Sequence, residues 1–194
     1  MLFRSEISTK YLKMKIVVTG GLGFIGSHFI ERCLNEDISI LNIDKVTYAA
    51  NRNLLFNRFN NYKEYLVDIN HGNVFSPLGL SQKSLEDIVG SFSPEYVIHF
   101  AAESHVDNSI KSADAFVKTN IYGTFNLLEI CKNIKSLKKF LHVSTDEVFG
   151  TLNLSEPAFT KNSPYKPNSP YAASKAASDL LVRSYQITHK FPAI

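Results

Sequence analysis

Cysteine is nearly absent: Cys33 and Cys131 are the only two in 194 residues. That is too few for a disulfide framework, and two isolated thiols fit reduced core residues of a cytoplasmic protein. Charge of one sign is also scarce. Lys plus Arg number 21 against 18 Asp plus Glu, an excess too slight to argue for a nucleic-acid partner. No apolar run approaches the roughly 18 residues of a membrane span, so no membrane partner is expected. Residues 1–13 lack the apolar core and cleavage site of a leader and are expected to form a disordered extension. There is no internal repeat, no low-complexity tract and no expected metal site. What remains, 44% hydrophobic and 20% charged residues, is enough for a packed core without pervasive disorder.

The chain then offers a strand, a glycine turn and a helix in immediate succession. Lys15 to Thr19 is β-branched and apolar, Gly20-Gly21-Leu22-Gly23-Phe24-Ile25-Gly26 follows, and Ser27 to Leu34 has helical periodicity. Gly21, Gly23 and Gly26 satisfy the dinucleotide pattern, in which missing side chains permit a tight turn, close approach to a pyrophosphate and close helix packing. A second strand, Ile38 to Ile43, ends at Asp44, near the roughly 20-residue spacing expected for a carboxylate on the adenosine ribose hydroxyls. This favours NAD over NADP, although a cation at Lys45 could partly accommodate a 2′-phosphate. An ordinary strand-end turn is the alternative role for Asp44, and its position makes that the less favoured account.

Two short runs hold five chemically active side chains. Val143-Ser144-Thr145-Asp146-Glu147 follows an apolar run, Lys139 to Val143, and so places a hydroxyl and two carboxylates beyond a strand's carboxyl end. Tyr171 and Lys175 lie four apart in an Ala- and Leu-rich pattern from Ser169 to His189, hence on one helix face. The ammonium is expected to lower the phenol's pKa. Each run also has a plain structural reading: a capping box for the first, chance helical spacing for the second. Their order after the glycine turn favours chemistry.

Strand patterns at Lys63 to Val67 and Tyr96 to Phe100, and helical patterns at Ser84 to Phe92 and Ala113 to Asn133, continue the alternation. Gly72 to Lys83 and Leu152 to Ser169 read as loops. The fold class is α/β, a Rossmann-like doubly wound parallel sheet with helices on both faces, with residues 14–194 forming one dinucleotide-binding domain.

These residues resemble the extended short-chain dehydrogenase/reductases and, within them, the nucleoside-diphosphate-sugar 4,6-dehydratases. The resemblance rests on Thr19 to Gly26, Asp44-Lys45-Val46-Thr47-Tyr48-Ala49, Asp68-Ile69, His99 to Asp107, Thr119 to Thr124, the Ser-Thr-Asp-Glu-Val segment and Tyr-x-x-x-Lys. The glycine turn and Tyr-x-x-x-Lys mark only the broad family, whereas the acidic pair of Thr145-Asp146-Glu147 is the narrower signal. The resemblance implies NAD as cofactor and a nucleotide sugar as substrate, dTDP-glucose being the expected one. Tyr171, supported by Lys175, would accept the proton of the hexose 4-hydroxyl during C4 oxidation. Glu147 would then remove the acidified C5 proton, Asp146 would protonate the departing 6-hydroxyl, and hydride would return to C6. That division needs the two carboxylates to differ in pKa. Thr145 would bond the sugar 4-hydroxyl.

By the same transfer, Gly20, Gly21, Gly23, Phe24, Ile25, Gly26, Asp44, Lys45, Thr47, Asp68, Ile69, Ala101, Ala102, Ser104, Thr119, Tyr171 and Lys175 would bind the dinucleotide. His105 would either face the sugar or serve as a buried structural histidine, and Glu103 and Asp107 would play supporting parts. The resemblance departs in three places: Phe149 stands where the family usually has Tyr, Gly72 to Lys83 looks long, and 194 residues leave no room for the C-terminal substrate domain, expected to be missing. Phe191 to Ile194 resembles the start of the family's next strand, and a sheet cut at this sixth strand would expose apolar edge surface from Phe140, Leu141 and Val143. The alternatives are a UDP-sugar 4,6-dehydratase, a sugar 4-epimerase, or an NAD-binding module without turnover. A homodimer through the Ala113 and Ser169 helices is a further implication.

Overall fold

The computed structural model describes residues 13–36, 38–51, 53–54, 56–70, 73–74 and 83–194. The extension expected over residues 1–13 therefore lies outside the described residues except for Lys13, as does most of the stretch from Gly72 to Lys83. Five parallel strands form the main sheet: β1 (Lys15–Thr19), β2 (Ser39–Asp44), β3 (Tyr62–Leu66), β6 (Tyr96–His99) and β7 (Lys139–His142), in the order β3-β2-β1-β6-β7. A separate antiparallel pair, β4 (Asn73–Val74) with β5 (Lys83–Ser84), lies partly within the Gly72 to Lys83 stretch expected to be a loop, which corrects that expectation at its two ends.

Side chains alternate across the pleat, so the two faces bury different sets. Leu41, Val17, Val97 and Phe140 are aligned across four strands, and they pack with helices α2 (Leu85–Phe92), α5 (Thr124–Cys131) and α6 (Pro170–His189). Ile16, Val18, Ile40 and Ile98 take the other face, against Ile30, Cys33 and Leu34 of α1 (Phe24–Asn35). Because β1 lies between β2 and β6, successive connections diverge there, and a crevice opens at the carboxyl ends of β1 and β6.

The helix starts follow ordinary capping chemistry. Ser84 and Asp87 form a reciprocal capping box at α2, and Ser169 caps α6 with Pro170 at its first position. The long helix expected over Ala113 to Asn133 is interrupted: α4 (Asp114–Phe116) passes through a π-helical turn, Val117–Gly123, into α5. A short helix not anticipated, α3 (Val106–Lys111), precedes it. The third strand starts one residue earlier than the apolar pattern implies, at Tyr62, whose hydroxyl bonds Glu64 and accepts from Asn42.

The expected exposed edge at Phe140 is corrected. Phe140 is fully buried, because residues 191–194 turn back along β7. The Phe140 amide donates to the Pro192 carbonyl at 3.0 Å, the Ile194 amide donates to the Phe140 carbonyl at 2.9 Å, and the Phe191 ring packs 5.4 Å from that of Phe140.

Candidate active site

The turn after β1 is bound to the end of β2 amide by amide. The Gly20 N–H donates to the Ile43 carbonyl at 2.9 Å, Gly21 N–H to Asn42 Oδ1 at 3.1 Å and Leu22 N–H to Asp44 Oδ2 at 2.9 Å. Asn42 is fully buried, and its amide nitrogen donates to the Tyr62 hydroxyl at 3.0 Å and to Glu64 at 3.3 Å. Gly20 has φ of +72°, and a Cβ there would lie 2.7 Å from the Ala101 nitrogen, so the tight turn belongs to Gly20. Gly21 points at Asn42 and Ile30 instead, which corrects the assignment of the first fingerprint glycine. Gly23 caps α1 without a side chain, and no acidic residue occupies the first turn, which leaves a positive helix end able to receive a phosphate.

A cleft of about 400 Å³ runs from this turn to α6. It is lined by Gly20, Gly23, Phe24, Ile25, Asp44, Lys45, Thr47, Ile69, Ala101, Ala102, Ser104, His105, Thr119, Tyr171 and Lys175, all expected from the sequence. Gly21, Gly26, Asp68, Thr145, Asp146 and Glu147 do not line it. Ile43, Ala49, Ala50, Val67, Phe100, Val143 and Ser144 do; all but Ser144 are apolar and carry no chemical signature, and Ser144 belongs to the Val143 to Glu147 run without being assigned to the cofactor.

Asp44 faces both the cleft and the backbone around it. It lines the cleft, yet both oxygens accept backbone N–H groups, from Leu22 and from Val46 at 2.8 Å. The second bond holds Val46 at φ of +56°, a strained setting for a β-branched residue. Lys45 is drawn inward: its ammonium reaches Glu103 at 3.2 Å, Asp68 at 3.9 Å and Thr119 Oγ1 at 3.0 Å. A cation so matched is poorly placed to favour a 2′-phosphate. His105 is exposed at the start of α3, its ring 5.4 Å from that of Tyr48, so it is not the buried structural histidine.

The reaction groups converge at α6. Lys175 is buried and donates to the Val143 carbonyl at 2.7 Å; desolvation lowers its pKa to about 8. Tyr171 is buried beside it. The phenol's pKa is raised by burial first, with the Glu147, Asp146 and Asp179 charges adding and the Thr145 hydroxyl opposing. This corrects the expected lowering by Lys175, whose ammonium is directed to a carbonyl. Thr145 also caps the 3₁₀ turn Asp146–Phe149, accepting the Glu147 amide at 3.3 Å. Asp146 is exposed and Glu147 half-buried, so the two carboxylates sit in different surroundings.

Several supporting groups lie in motifs read from the sequence, but their contacts are not foreseen there. The π-helical turn buries Asn120, which accepts the Glu103 amide at 2.8 Å and donates to the Glu103 carbonyl and Ser174, both at 2.9 Å; such turns recur at functional sites. His99 is buried between Thr19 Oγ1 at 2.7 Å and Thr124 Oγ1 at 3.0 Å, and burial holds its pKa well down. Among the described residues no cluster of His, Cys, Asp or Glu is placed to hold a metal ion, and no helix is long and apolar enough to cross a membrane.

The family model described as GDP-mannose 4,6-dehydratase matches residues 17–194. The dTDP-glucose 4,6-dehydratase of Haemophilus influenzae is 48% identical over 192 residues, covering 93% of this chain and 54% of that protein. The dTDP-glucose 4,6-dehydratase 1 of Escherichia coli is 41% identical, with 93% and 53% covered. Among solved structures, the Streptomyces venezuelae dTDP-glucose 4,6-dehydratase DesIV with NAD bound superposes with a TM-score of 0.80 at 38% identity, covering 93% of this chain and 54% of that one. The Thermus thermophilus UDP-glucose 4-epimerase with NAD gives 0.77 at 28% identity, covering 93% and 53%. The chain spans about half the length of the curated relatives it matches.

Proposed function

The chain belongs to the GDP-mannose 4,6-dehydratase family, and from that premise we propose that residues 14–194 are the NAD-binding and reaction-centre part of a nucleotide-sugar 4,6-dehydratase. Its substrate is dTDP-glucose and its product dTDP-4-keto-6-deoxyglucose. One observation favours dehydration over epimerisation: the Val143 carbonyl that accepts from Lys175 leads directly into the Thr145-capped turn that carries Asp146 and Glu147, so an acid/base pair stands beside the helix that handles the 4-hydroxyl. The identities of the similar proteins support the dTDP-sugar and NAD.

The residues present fit NAD. The uncapped start of α1 suits its pyrophosphate, Asp44 lies at the cleft wall for the ribose, and Lys45 is neutralised by Glu103 and Asp68. The chemistry NAD supplies when bound is a reversible hydride store, filled from C4 and emptied to C6. Tyr171 takes the 4-hydroxyl proton, and the burial that raises its pKa makes the phenolate a stronger base. Thr145 orients that hydroxyl. Glu147 removes the C5 proton and Asp146 delivers one to the departing 6-hydroxyl. His105 meets the sugar from the opposite wall.

Mass spectrometry of the chain incubated with NAD and dTDP-glucose should show loss of one water from the sugar nucleotide. Glu147→Gln should slow that elimination about 100-fold while C4 oxidation, followed by nicotinamide absorbance, continues; an epimerase would lose nothing. Saturable NAD binding with no water loss would instead support a binding module without turnover.

We also propose a homodimer through α5 and α6 with the turn before α5, since Val117, Tyr122, Phe125, Leu180 and Ile187 expose apolar surface there. A monomeric mass by light scattering at micromolar concentration would exclude it. The free buried thiols Cys33 and Cys131 support a cytoplasmic setting, which cell fractionation would test.

A further inference from the structure

One turn beyond Lys175 on α6 lies a carboxylate that the chemistry above does not use. Asp179 is largely buried, its side chain 12% exposed, and its partners come from separate parts of the chain. The Ser144 hydroxyl donates to Oδ2 at 2.6 Å and the Tyr165 hydroxyl to the same atom at 3.0 Å. His142 Nε2 lies 3.2 Å from Oδ1. Ser144 stands directly before Thr145, so the bond joins α6 to the turn that presents Thr145, Asp146 and Glu147. Spacing of four places Asp179 and Lys175 on one helix face.

Three other ionisable groups face Lys175. Tyr171 lies on its own helix, and burial raises its pKa. His99 of β6 and His142 of β7 are buried, and desolvation disfavours their charged forms. Asp146 and Glu147, on the turn after β7, act on Tyr171. Asp179 alone among these sets a negative charge against the desolvation of the Lys175 ammonium.

We propose that Asp179 is a positioning residue of the reaction centre, its buried carboxylate keeping Lys175 charged and, through Ser144, fixing the turn that carries Thr145, Asp146 and Glu147. Near neutral pH the margin is narrow, because burial already brings the amine to about 8 with the carboxylate in place. Loss of the carboxylate charge discharges a larger share of Lys175 at the same pH. The importance of that charge rests on the dehydratase reading; the electrostatic coupling itself does not.

Lysine-selective ¹³C labelling tests the coupling without substrate or NAD, with the Lys175 Cε resonance assigned by its disappearance in Lys175→Met. In Asp179→Asn the Lys175 midpoint should fall by about one unit. Ser144→Ala and Tyr165→Phe, which each remove a bond to Asp179 but keep its charge, should move it by no more than a few tenths of a unit, on the order of other exposed-site effects. An unmoved midpoint in folded Asp179→Asn overturns the proposal, as does an equal shift in all three variants, which a purely structural role would give. Should Asp179→Asn not fold, the wild-type protein decides: protonation of Asp179 in acid must displace the Lys175 Cε resonance, and a titration with one inflection overturns the coupling. Absence of water loss in the mass-spectrometric assay would count against the dehydratase reading and leave this titration interpretable.

Discussion

Tyr171→Phe is expected to reduce turnover of dTDP-glucose by about 10³- to 10⁴-fold, near the upper range for a positioned acid/base group, while leaving fold and NAD affinity nearly unchanged. The substitution removes one oxygen and keeps a ring that is buried and edge-on to Phe116, with centroids 6.3 Å apart. Packing should therefore survive, whereas the phenolic hydroxyl is lost. Because the side chain is buried, water has little access to replace it as proton acceptor. Initial rates by mass spectrometry, with NAD titration calorimetry and thermal melting as controls, separate these effects. Turnover within tenfold of wild type would remove Tyr171 from the role of base.

Gly26→Ala should destabilise the chain by about 3 kcal/mol, the upper part of the range for overpacking, and weaken NAD binding by more than about 100-fold, the effect of displacing the phosphate turn. A Cβ at Gly26 would lie 2.4 Å from the Gly20 carbonyl oxygen and 2.9 Å from the Gly21 Cα. Both are backbone atoms, so no side chain can swing away, and relief requires prising the turn from α1. That turn is held to β2 by three amide bonds, so relief at one point strains the others. Gly90→Ala provides the control: a Cβ added there on α2 would meet no neighbouring atom within 4 Å, and the change should be neutral or stabilising by up to about 1 kcal/mol. Urea unfolding and NAD titration of the two variants give the comparison, and a Gly26→Ala protein as stable as wild type would refute the packing argument.

What the sequence made legible was local. Lys15 to Leu34 contains strand, turn and helix in one stretch, Asp44 follows at a recognisable interval, and Tyr171 and Lys175 share a helix face through spacing alone. What it concealed depends on groups far apart along the chain. Adjacent glycines at positions 20 and 21 permit two phases of the fingerprint, and only the backbone angle at Gly20 selects one. The partners of Asp179 at Ser144 and Tyr165 lie 35 and 14 residues away. The direction of the Tyr171 shift follows first from burial and then from carboxylates on the turn after β7 and farther along its own helix, and burial is not visible in spacing. The π-helical turn alters helical phase near Thr119 and Asn120 without breaking the apolar pattern, so it too was hidden.

Asn42 has a consequence for how ligand affinity is partitioned. In β2 its place on the α1 side of the sheet belongs, by alternation, to an apolar residue, yet it spans from the Gly21 amide to Tyr62 and Glu64 on β3. The glycine turn is thus braced by a strand with which it shares no sequence neighbourhood. Fixing a backbone residue loses about 1–2 kcal/mol of conformational freedom, and glycine loses the most. That ordering is completed during folding, so a dinucleotide meets a preorganised cradle and the entropy of the glycines is not subtracted from its affinity.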